Sequence, residues 1–423
     1  MEEEMKQKSN YQKFLLLWAG ELISAVGGGL TSFGLGVYVF AQTGSAANMA
    51  LISLLAFLPG LLLSVPAGIL ADRCDRRLLM MLGDGCSGIG ILFILLCMLR
   101  GDATLTEICV GVAVSSVFSA LLDPAYRATI TDLLDEEEYS KAGGMVSLAG
   151  SARYLVSPLL AGILLAVSDI KLLLVIDICT FFVTVTATGV VRKGLAAKQT
   201  ADREPFAAAL LAGWRAVTEK RGVFLLILLS SVLTCFMGAF QILAEPMILA
   251  FADSTTLGIG ETVCALGMLG TSLLLGARGI RKGYVKVLAA SLCTAGAAMV
   301  FFGLKENIYL ICASGFLFFA MLPLANNCLD YLVRTNIPDE TQGRAWGLIG
   351  FLSQLGYVAA YASAGLMADG LAVRMGSSVG RGAAAVIKVS GGLLVAASFL
   401  LYAVRAVREL EKGGVYGTKN DSK

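Results

Sequence analysis

The chain has 423 residues, of which 57% are apolar and only 15% are charged. Soluble domains carry about 25% charged residues, and the mean hydropathy of this chain is +0.77. This composition excludes a water-soluble enzyme, a disordered adaptor, a disulfide-stapled secreted domain and a nucleic-acid-binding protein. The apolar residues suffice for about twelve membrane spans of ~20 residues each.

Apolar stretches separated by polar loops predict twelve membrane-spanning helices. In chain order they cover residues 14–41, 49–71, 78–99, 108–122, 143–167, 172–191, 223–250, 257–277, 285–304, 308–332, 345–368 and 383–404. The long interruption between the sixth and the seventh divides them six plus six. We therefore expect an N-terminal segment 1–13, a six-helix bundle 14–191, a linker 192–222, a six-helix bundle 223–404 and a tail 405–423.

The linker has the features of a short interfacial helix. Pro205 suits the first position of a helix. Phe206, Leu210 and Trp214 follow it at helical spacing. A solvated linker with one apolar face explains the same pattern, so both interpretations stay open at this point.

The basic residues predict the orientation of the chain. Of the 33 lysines and arginines, 26 lie on the side that holds both termini and five lie on the opposite side, while Arg153 and Lys388 lie within spans. Cytoplasmic loops are enriched in lysine and arginine. We therefore expect a multi-pass membrane protein with both termini in the cytoplasm.

The second half of the chain repeats the first at an offset of 203 residues. Residues 135–144 align with residues 338–347, and the pair Ala161-Gly162 aligns with Ala364-Gly365. This repeat predicts an all-α polytopic membrane protein built from two pseudo-symmetric six-helix bundles. Secondary transporters with such repeats place their substrate site near the midplane of the membrane.

The loop after the second span carries a recognisable motif. It reads Gly68-Ile-Leu-Ala-Asp72-Arg73-Cys74-Asp75-Arg76-Arg77. This loop resembles the signature loop of the major facilitator superfamily, G-x-x-x-D-R-x-G-R-[RK], with Asp75 in place of the usual glycine. The resemblance implies the major facilitator fold, with twelve transmembrane helices in two bundles.

Other segments resemble one branch of that superfamily, the macrolide-efflux and enterobactin exporters. They are Leu16–Gly20, Gln42–Ser45, Ala56–Gly60, Asp123–Ala125 and Gln342–Arg344. The resemblance implies a drug:proton antiporter of the bacterial cytoplasmic membrane whose partners are a small molecule, protons and the lipid bilayer. We expect no cofactor, no metal and no nucleic-acid partner, and we expect the chain to function as a monomer.

Span five contains a second motif. Its sequence Ser157-Pro158-Leu-Leu-Ala-Gly162 resembles a degraded form of the G-P-x-x-G-G antiporter motif. The resemblance implies that Ser157, Pro158 and Gly162 serve the exchange of substrate for protons.

The signature loop also has a physical interpretation. Gly68 allows a close helix approach, and Asp72 can accept charge-assisted hydrogen bonds from an arginine or from a helix N-terminus. We expect a cytoplasmic gate that breaks when this face opens. Its candidate residues are Gly68, Asp72, Arg73, Arg76, Arg77, Asp84, Asp123 and Arg127, with Asp330 and Arg334 as counterparts in the second half. The arginines alone are equally well explained as topology signals.

Proton transfer must use carboxylates, since the chain contains no histidine. Glu21 lies about 10 Å into span one and Arg153 about 15 Å into span five. A charge at such depth is costly and marks a functional site by default. We expect Glu21 either to carry a proton or to form a structural pair with Arg153, which can also bind an anionic substrate group. Asp177 lies nearer the end of its span, which favours a boundary role.

Three spans carry polar stripes that predict a wet central cavity. The candidate residues are Ser24, Gly28, Thr31, Thr234, Gly238, Gln241, Gln354, Tyr357 and Tyr361. The alternative is that these residues join helices, as small and polar residues do in membranes. For the serines and glycines this alternative is the better explanation.

The patterns together predict a secondary transporter that works by alternating access, with proton-coupled efflux of an amphipathic small molecule such as a drug, macrolide or siderophore. An uptake or facilitated-diffusion transporter of the same fold is the alternative. A membrane-embedded enzyme is disfavoured because no histidine and no catalytic cluster is present in the sequence. No Walker A pattern is present either, which argues against direct ATP drive.

Overall fold

The computed structural model of the chain describes residues 2–134, 138–192, 221–280, 282–336 and 339–411. Within these ranges the regular structure is entirely α-helical. The first half contains α1 (Glu2–Thr43), α2 (Ala46–Arg73), α3 (Arg76–Arg100), α4 (Leu105–Ser119), α5 (Leu122–Leu133), α6 (Tyr139–Leu155), α7 (Ser157–Val167) and α8 (Ile170–Arg192). The second contains α9 (Arg221–Leu249), α10 (Ser254–Arg278), α11 (Tyr284–Phe302), α12 (Ile308–Arg334), α13 (Asp339–Met375), α14 (Val379–Ala403) and α15 (Arg405–Leu410).

Eleven helical segments of the described residues are long and apolar enough to cross a membrane. The remaining predicted span, 345–368, lies in the 37-residue helix α13. Its polar residues, among them Gln354 and Tyr357, reduce its apolar character. The chain is therefore an all-α, multi-pass membrane protein, as its sequence predicts. The predicted interfacial helix lies in residues 193–220 of the linker, which are outside the described residues.

Several helices differ in extent from the predicted spans. The helix of span one begins at Glu2, so the helix extends through residues 2–13 on the N-terminal side of the predicted span. Span five is interrupted at Val156, where α6 ends and α7 begins. Pro158 accounts for this break, because proline has no N–H to donate to the carbonyl of Tyr154 one turn earlier.

Side-chain caps define several helix starts. Thr104 and Glu107 form a reciprocal capping box at the start of α4. Asp75, the residue that replaces the glycine of the signature loop, caps α3 by accepting a hydrogen bond from the N–H of Arg77 at 3.1 Å. Asp253 caps α10, and its hydrogen bonds from Thr256 hold the pKa of this carboxyl below its usual range.

The chain forms two compact units, and two helices belong to both. The first unit contains Met1–Gly44, Leu51–Ala201 and Asp253–Thr262, and the second contains Ser45–Ala50, Asp202–Ala252 and Val263–Lys423. Helix α2 therefore begins in the second unit and continues in the first, whereas α10 begins in the first unit and continues in the second.

In the first unit α1 packs against α8, and α3 packs against α4 and α8. Two apolar cores lie at its two ends. The core at the basic end, which carries the loop Cys74–Asp75, contains Phe14, Leu17, Leu79, Met80 and Tyr126. The core at the opposite end contains Leu35, Val39, Ile91, Ile94 and Leu174. A polar layer separates the two cores.

The second unit is organised around α9 and α14. Helix α9 packs against α13 and α14, and α11 packs against α12 and α14. The buried ring of Phe240 packs against two other aromatic rings of this unit. Its centroid lies 4.8 Å from that of Phe302 and 4.1 Å from that of Phe318. Towards the basic end the rings of Tyr284 and Tyr331 stack at 3.6 Å.

Candidate functional site

Three carboxyls lie between the two apolar cores of the first unit. Asp84 on α3 and Asp177 on α8 expose only 3% and 1% of their surface. Glu21 on α1 is half-buried. We call these three residues the acid layer. Burying carboxylates costs free energy unless they are paired or protonated, so this arrangement marks the layer as the main functional candidate of the unit.

Hydroxyl groups line the side of the layer formed by α8. The hydroxyl of Thr180 donates to the carbonyl of Asp177 at 2.7 Å and lies 3.4 Å from Oδ1 of the same residue. The buried hydroxyl of Thr31 on α1 also faces this carboxyl. The hydroxyl of Thr184, on the same helix, donates to the carbonyl of Phe181 at 3.0 Å and lies near Asp84. These hydroxyls give the α8 side of the layer a polar lining.

Helix α1 approaches this part of α8 through Gly27. A Cβ atom built at Gly27 would lie 2.6 Å from Oγ1 of Thr180 and 2.8 Å from Oδ1 of Asp177. A side chain at this position would therefore displace the polar groups of the layer. Gly28, the next residue, faces open space.

Charged groups on α3, α5 and α6 act on the layer. The carboxylates of Asp84 and Asp123 repel a negative charge on Glu21, whereas the guanidinium of Arg153 on α6 attracts it. Arg153 also acts on Asp177. Among the described residues, Arg153 thus acts on both Glu21 and Asp177, while Asp84 is opposed by the charge of Asp177. Like charges at close range oppose one another's ionisation, so the charge state of each carboxyl depends on that of its neighbours.

Asp84 and Asp177 occupy different surroundings from those that the sequence suggests. The sequence groups Asp84 with the gate residues and gives Asp177 a boundary role. The structure buries both in the acid layer with Glu21. The reason is that depth along a span is readable from sequence, whereas the rotation of each helix about its axis is set by packing.

At the basic end the arginines of the signature loop meet Asp132 on α5. The guanidinium of Arg76 forms an ion pair with Asp132 at 2.8 Å and donates to the carbonyls of Ala71 and Ala128. Arg77, which is 4% exposed, lies 4.0 Å from the same carboxylate. Sequence analysis missed Asp132 because this residue lies beyond the predicted end of span four, on the helix α5 that extends it.

The remaining gate candidates make fewer contacts with other helices among the described residues. Asp123 and Arg127 pair at 2.9 Å within one exposed turn of α5. Arg73 is exposed at the end of α2. No described atom beyond its own helix lies within 4 Å of a Cβ built at Gly68, so the expected close approach is not found among them. The backbone of Asp72 is helical, but its side chain lies outside the described atoms.

The antiporter-like motif packs helices together. The hydroxyl of Ser157 donates to the carbonyl of Val26 on α1 at 3.0 Å. Gly162 receives the first turn of α10, where the hydroxyl of Thr255 donates to the carbonyl of Gly162 at 3.1 Å. A Cβ at Gly162 would lie 2.7 Å from the carbonyl of Ser254. The motif thus lets α7 and α10 cross closely within the first unit.

The repeat places an equivalent crossing in the second unit. A Cβ at Gly365 on α13 would lie 2.6 Å from the backbone of Ala47 in α2. Here Asp369 adds three hydrogen bonds, from the Ser45 hydroxyl at 2.6 Å and from the backbone N–H groups of Ala46 and Ala47 at 3.0 and 3.1 Å. We call this arrangement the Asp369 clamp. Sequence analysis did not identify it.

Several cavity candidates lie between helices. The hydroxyl of Thr234 donates to the carbonyl of Ser353 at 2.6 Å, and a Cβ at Gly238 would lie 2.9 Å from Tyr357. These two residues therefore join α9 to α13. Gln241, Gln354, Tyr357 and Tyr361 are half-buried, while Ser24 and Thr31 are buried. The rings of Tyr357 and Tyr361 lie 6.0 Å apart.

Comparisons with known proteins agree with this architecture. The chain is similar to macrolide efflux protein A of Streptococcus pyogenes, with 24% identity over 377 residues that cover 87% of this chain and 93% of that protein. It is also similar to the uncharacterised MFS-type transporter YfiS of Bacillus subtilis, with 26% identity over 388 residues that cover 86% and 89%.

Solved structures share the fold at low sequence identity. An auto-inhibited peptide transporter of the POT family matches with a TM-score of 0.76 at 12% identity, covering 96% of this chain and 98% of that one. The nucleoside transporter NupG matches with a TM-score of 0.70 at 13% identity, covering 92% and 98%. Residues 17–361 match the sequence profile of the Major Facilitator Superfamily. The chain therefore belongs to the Major Facilitator Superfamily of membrane transporters.

Proposed function

We propose that this transporter exports an amphipathic small molecule of the macrolide type in exchange for protons. The observation that carries the proposal is the acid layer, in which Arg153 attracts Glu21 and Asp177 while the buried Asp84 opposes the charge of Glu21. Relatives named macrolide efflux protein A support the substrate class and the direction of transport.

The acid layer would couple the two fluxes through its charge. With a proton bound, Glu21 adds no charge to the layer, and the helices around it can repack at low cost. Without a proton, the carboxylate is held by Arg153 and opposed by Asp84. A change of one proton therefore alters the balance between two packings, which is what an antiporter needs to exchange a proton for substrate. The alternative, a permanent ion pair of Glu21 and Arg153, predicts transport that does not depend on protons.

The two ends of the units would supply the gates. We propose that the basic end faces the cytoplasm and that both termini lie there, because the positive-inside rule applies to the 26 basic residues on that side. The pair of Arg76 and Asp132 would hold the loop after α2 in one state. The Asp369 clamp would hold the start of α2 at the opposite end.

The substrate path would be lined by residues that face open space or that carry polar side chains. Gly28 on α1 faces open space. Gln241 on α9 and Gln354, Tyr357 and Tyr361 on α13 supply amide, hydroxyl and aromatic surface. Such a lining suits an amphipathic molecule, since pockets for small ligands combine apolar walls with a few polar groups.

The proposal is tested by drug accumulation in cells that express each variant at equal surface abundance. Wild type is expected to lower the accumulation of a radiolabelled macrolide severalfold, and an uncoupler is expected to abolish the difference. Glu21→Gln should behave like the uncoupled wild type. The matched control is Glu306→Gln, an exposed carboxylate paired with Arg381 at the opposite end, which should transport normally. Substrate accumulation that rises with expression and survives the uncoupler would instead indicate an uptake facilitator.

A further inference from the structure

A groove in the second unit lies between α10 and α12. It has a volume of about 480 Å³ and is lined by Ser272, Leu275 and Gly276 on α10 and by Pro323, Asn326, Asn327 and Asp330 on α12. The lining residues follow one face of each helix, at positions i, i+3 and i+4 on α10 and i, i+3, i+4 and i+7 on α12. The groove is therefore a continuous surface of two helices.

The groove is polar at a depth where a membrane helix is normally apolar. Asn327 lies seven residues before the end of α12 at Arg334, or about 10 Å at 1.5 Å per residue. Both Asn326 and Asn327 are exposed. Polar side chains within a span are costly to expose to lipid, so they face the protein interior or a water-filled space. The two amides therefore need a hydrogen-bonding partner, which is either a polar ligand or water.

The chemistry of the lining indicates what the ligand presents. An asparagine amide offers both donors and an acceptor, and the Ser272 hydroxyl offers one of each. The oxygens of a sugar need this mixture, since a hydroxyl both donates and accepts while a ring or glycosidic oxygen only accepts. Leu275 and Pro323 supply apolar surface beside the amides. A flat apolar molecule without hydroxyls would leave the two amides without partners, which costs free energy.

We propose that this groove binds the sugar-bearing part of the exported molecule, with Asn326 and Asn327 as the specificity-determining residues. This inference rests on the proposed function and deepens it, because it names the part of the substrate that the second unit recognises. Asp330, which the sequence suggests as a counterpart of the gate residues, lies at the basic end of the same stripe and borders the bound hydroxyls.

The experiment measures equilibrium binding to the purified full chain in lipid nanodiscs without a proton gradient. The probes are two glycosides with their aglycones: erythromycin A with erythronolide, and digitoxin with digitoxigenin. The variants are wild type, Asn326→Ala/Asn327→Ala, and the control Ser314→Ala, a buried serine on α12 outside the groove. Wild type and control are expected to bind a glycoside at least tenfold tighter than its aglycone. The double variant is expected to lose this preference and to keep its affinity for the aglycone.

The outcomes separate this inference from the proposed function. A preference seen only for digitoxin, and lost in the double variant, supports the groove and argues against a macrolide as substrate. A double variant that keeps the sugar preference overturns the inference, as does wild type that binds no glycoside tighter than its aglycone. An equal loss of affinity for glycoside and aglycone, in a double variant with the wild-type melting temperature, also overturns it, because the asparagines then do not distinguish the sugar. None of these results depends on whether transport uses protons.

Discussion

The carboxylate of Asp369 accepts a hydrogen bond from the hydroxyl of Ser45 at 2.6 Å, although 324 residues of sequence separate them. The same carboxylate accepts the N–H groups of Ala46 and Ala47, which are donors that a helix start leaves without partners inside the helix. A negative charge at a helix N-terminus is also favoured by the helix dipole. This contact ties the start of α2 into the second unit, while the rest of α2 belongs to the first.

Removal of the clamp should free the start of α2. Asp369→Ala is expected to raise, at least severalfold, the reactivity of a cysteine introduced at Asn48 towards a membrane-impermeant maleimide. The reason is that the first turn of α2 loses three charge-assisted hydrogen bonds. Maleimide labelling of the Asp369→Ala variant without the introduced cysteine measures the background from the native cysteines.

The repeat supplies the control for this prediction. Asp253 caps α10, the helix that makes the equivalent crossing in the first unit. Asp253→Ala should leave the reactivity of the cysteine at 48 unchanged. Equal labelling in wild type and Asp369→Ala would show that the clamp does not hold α2.

Adjacent glycines on α1 should differ sharply in their tolerance of a methyl group. Gly27→Ala inserts a Cβ against Thr180 and Asp177, and overpacking of this kind costs about 1–3 kcal/mol. Gly28→Ala meets open space and, since alanine favours helix by up to ~1 kcal/mol, should be neutral or slightly stabilising. Thermal unfolding of the two purified variants measures the difference. Equal melting temperatures would mean that α1 and α8 are not in close contact at the acid layer.

Two aspartates of α5 should contribute unequally to stability. Asp132 and Arg76 are each only 14% exposed in their ion pair, whereas Asp123 and Arg127 are 68% and 66% exposed in theirs. Asp132→Asn should therefore destabilise the chain by about 1–3 kcal/mol, since the guanidinium groups of Arg76 and Arg77 lose the carboxylate charge beside them. Asp123→Asn should cost under ~0.5 kcal/mol, because exposed pairs contribute little. Thermal unfolding in high and low salt checks both values, and an equal effect of the two variants contradicts the assignment.

Hydropathy and charge predict the spans, and the motif Gly68–Arg77 carries the resemblance to the family, because these features can be read directly along the sequence. The partners of individual side chains are not predictable in the same way. Asp84 and Asp177 lie in one layer with Glu21 only because of the way α3 and α8 are rotated about their axes. The Asp369 clamp joins segments from the two halves, and its sequence signal was faint: the aligned Ala364-Gly365 pair and a serine at the start of α2. Asn326 and Asn327 are visible in the sequence as two adjacent amides within an apolar span.

The central claim is that Glu21 exchanges a proton for substrate within the acid layer. Its most direct test uses proteoliposomes that hold the purified chain, a trapped pH-sensitive dye and an imposed pH gradient with the membrane potential clamped at zero. In wild type and in Glu306→Gln we expect macrolide flux that is driven by the pH gradient and matched by proton counterflow. In Glu21→Gln both proton counterflow and pH-driven flux should be lost, while macrolide exchange between the two sides should continue. Proton counterflow that persists in Glu21→Gln at the wild-type rate would contradict the account.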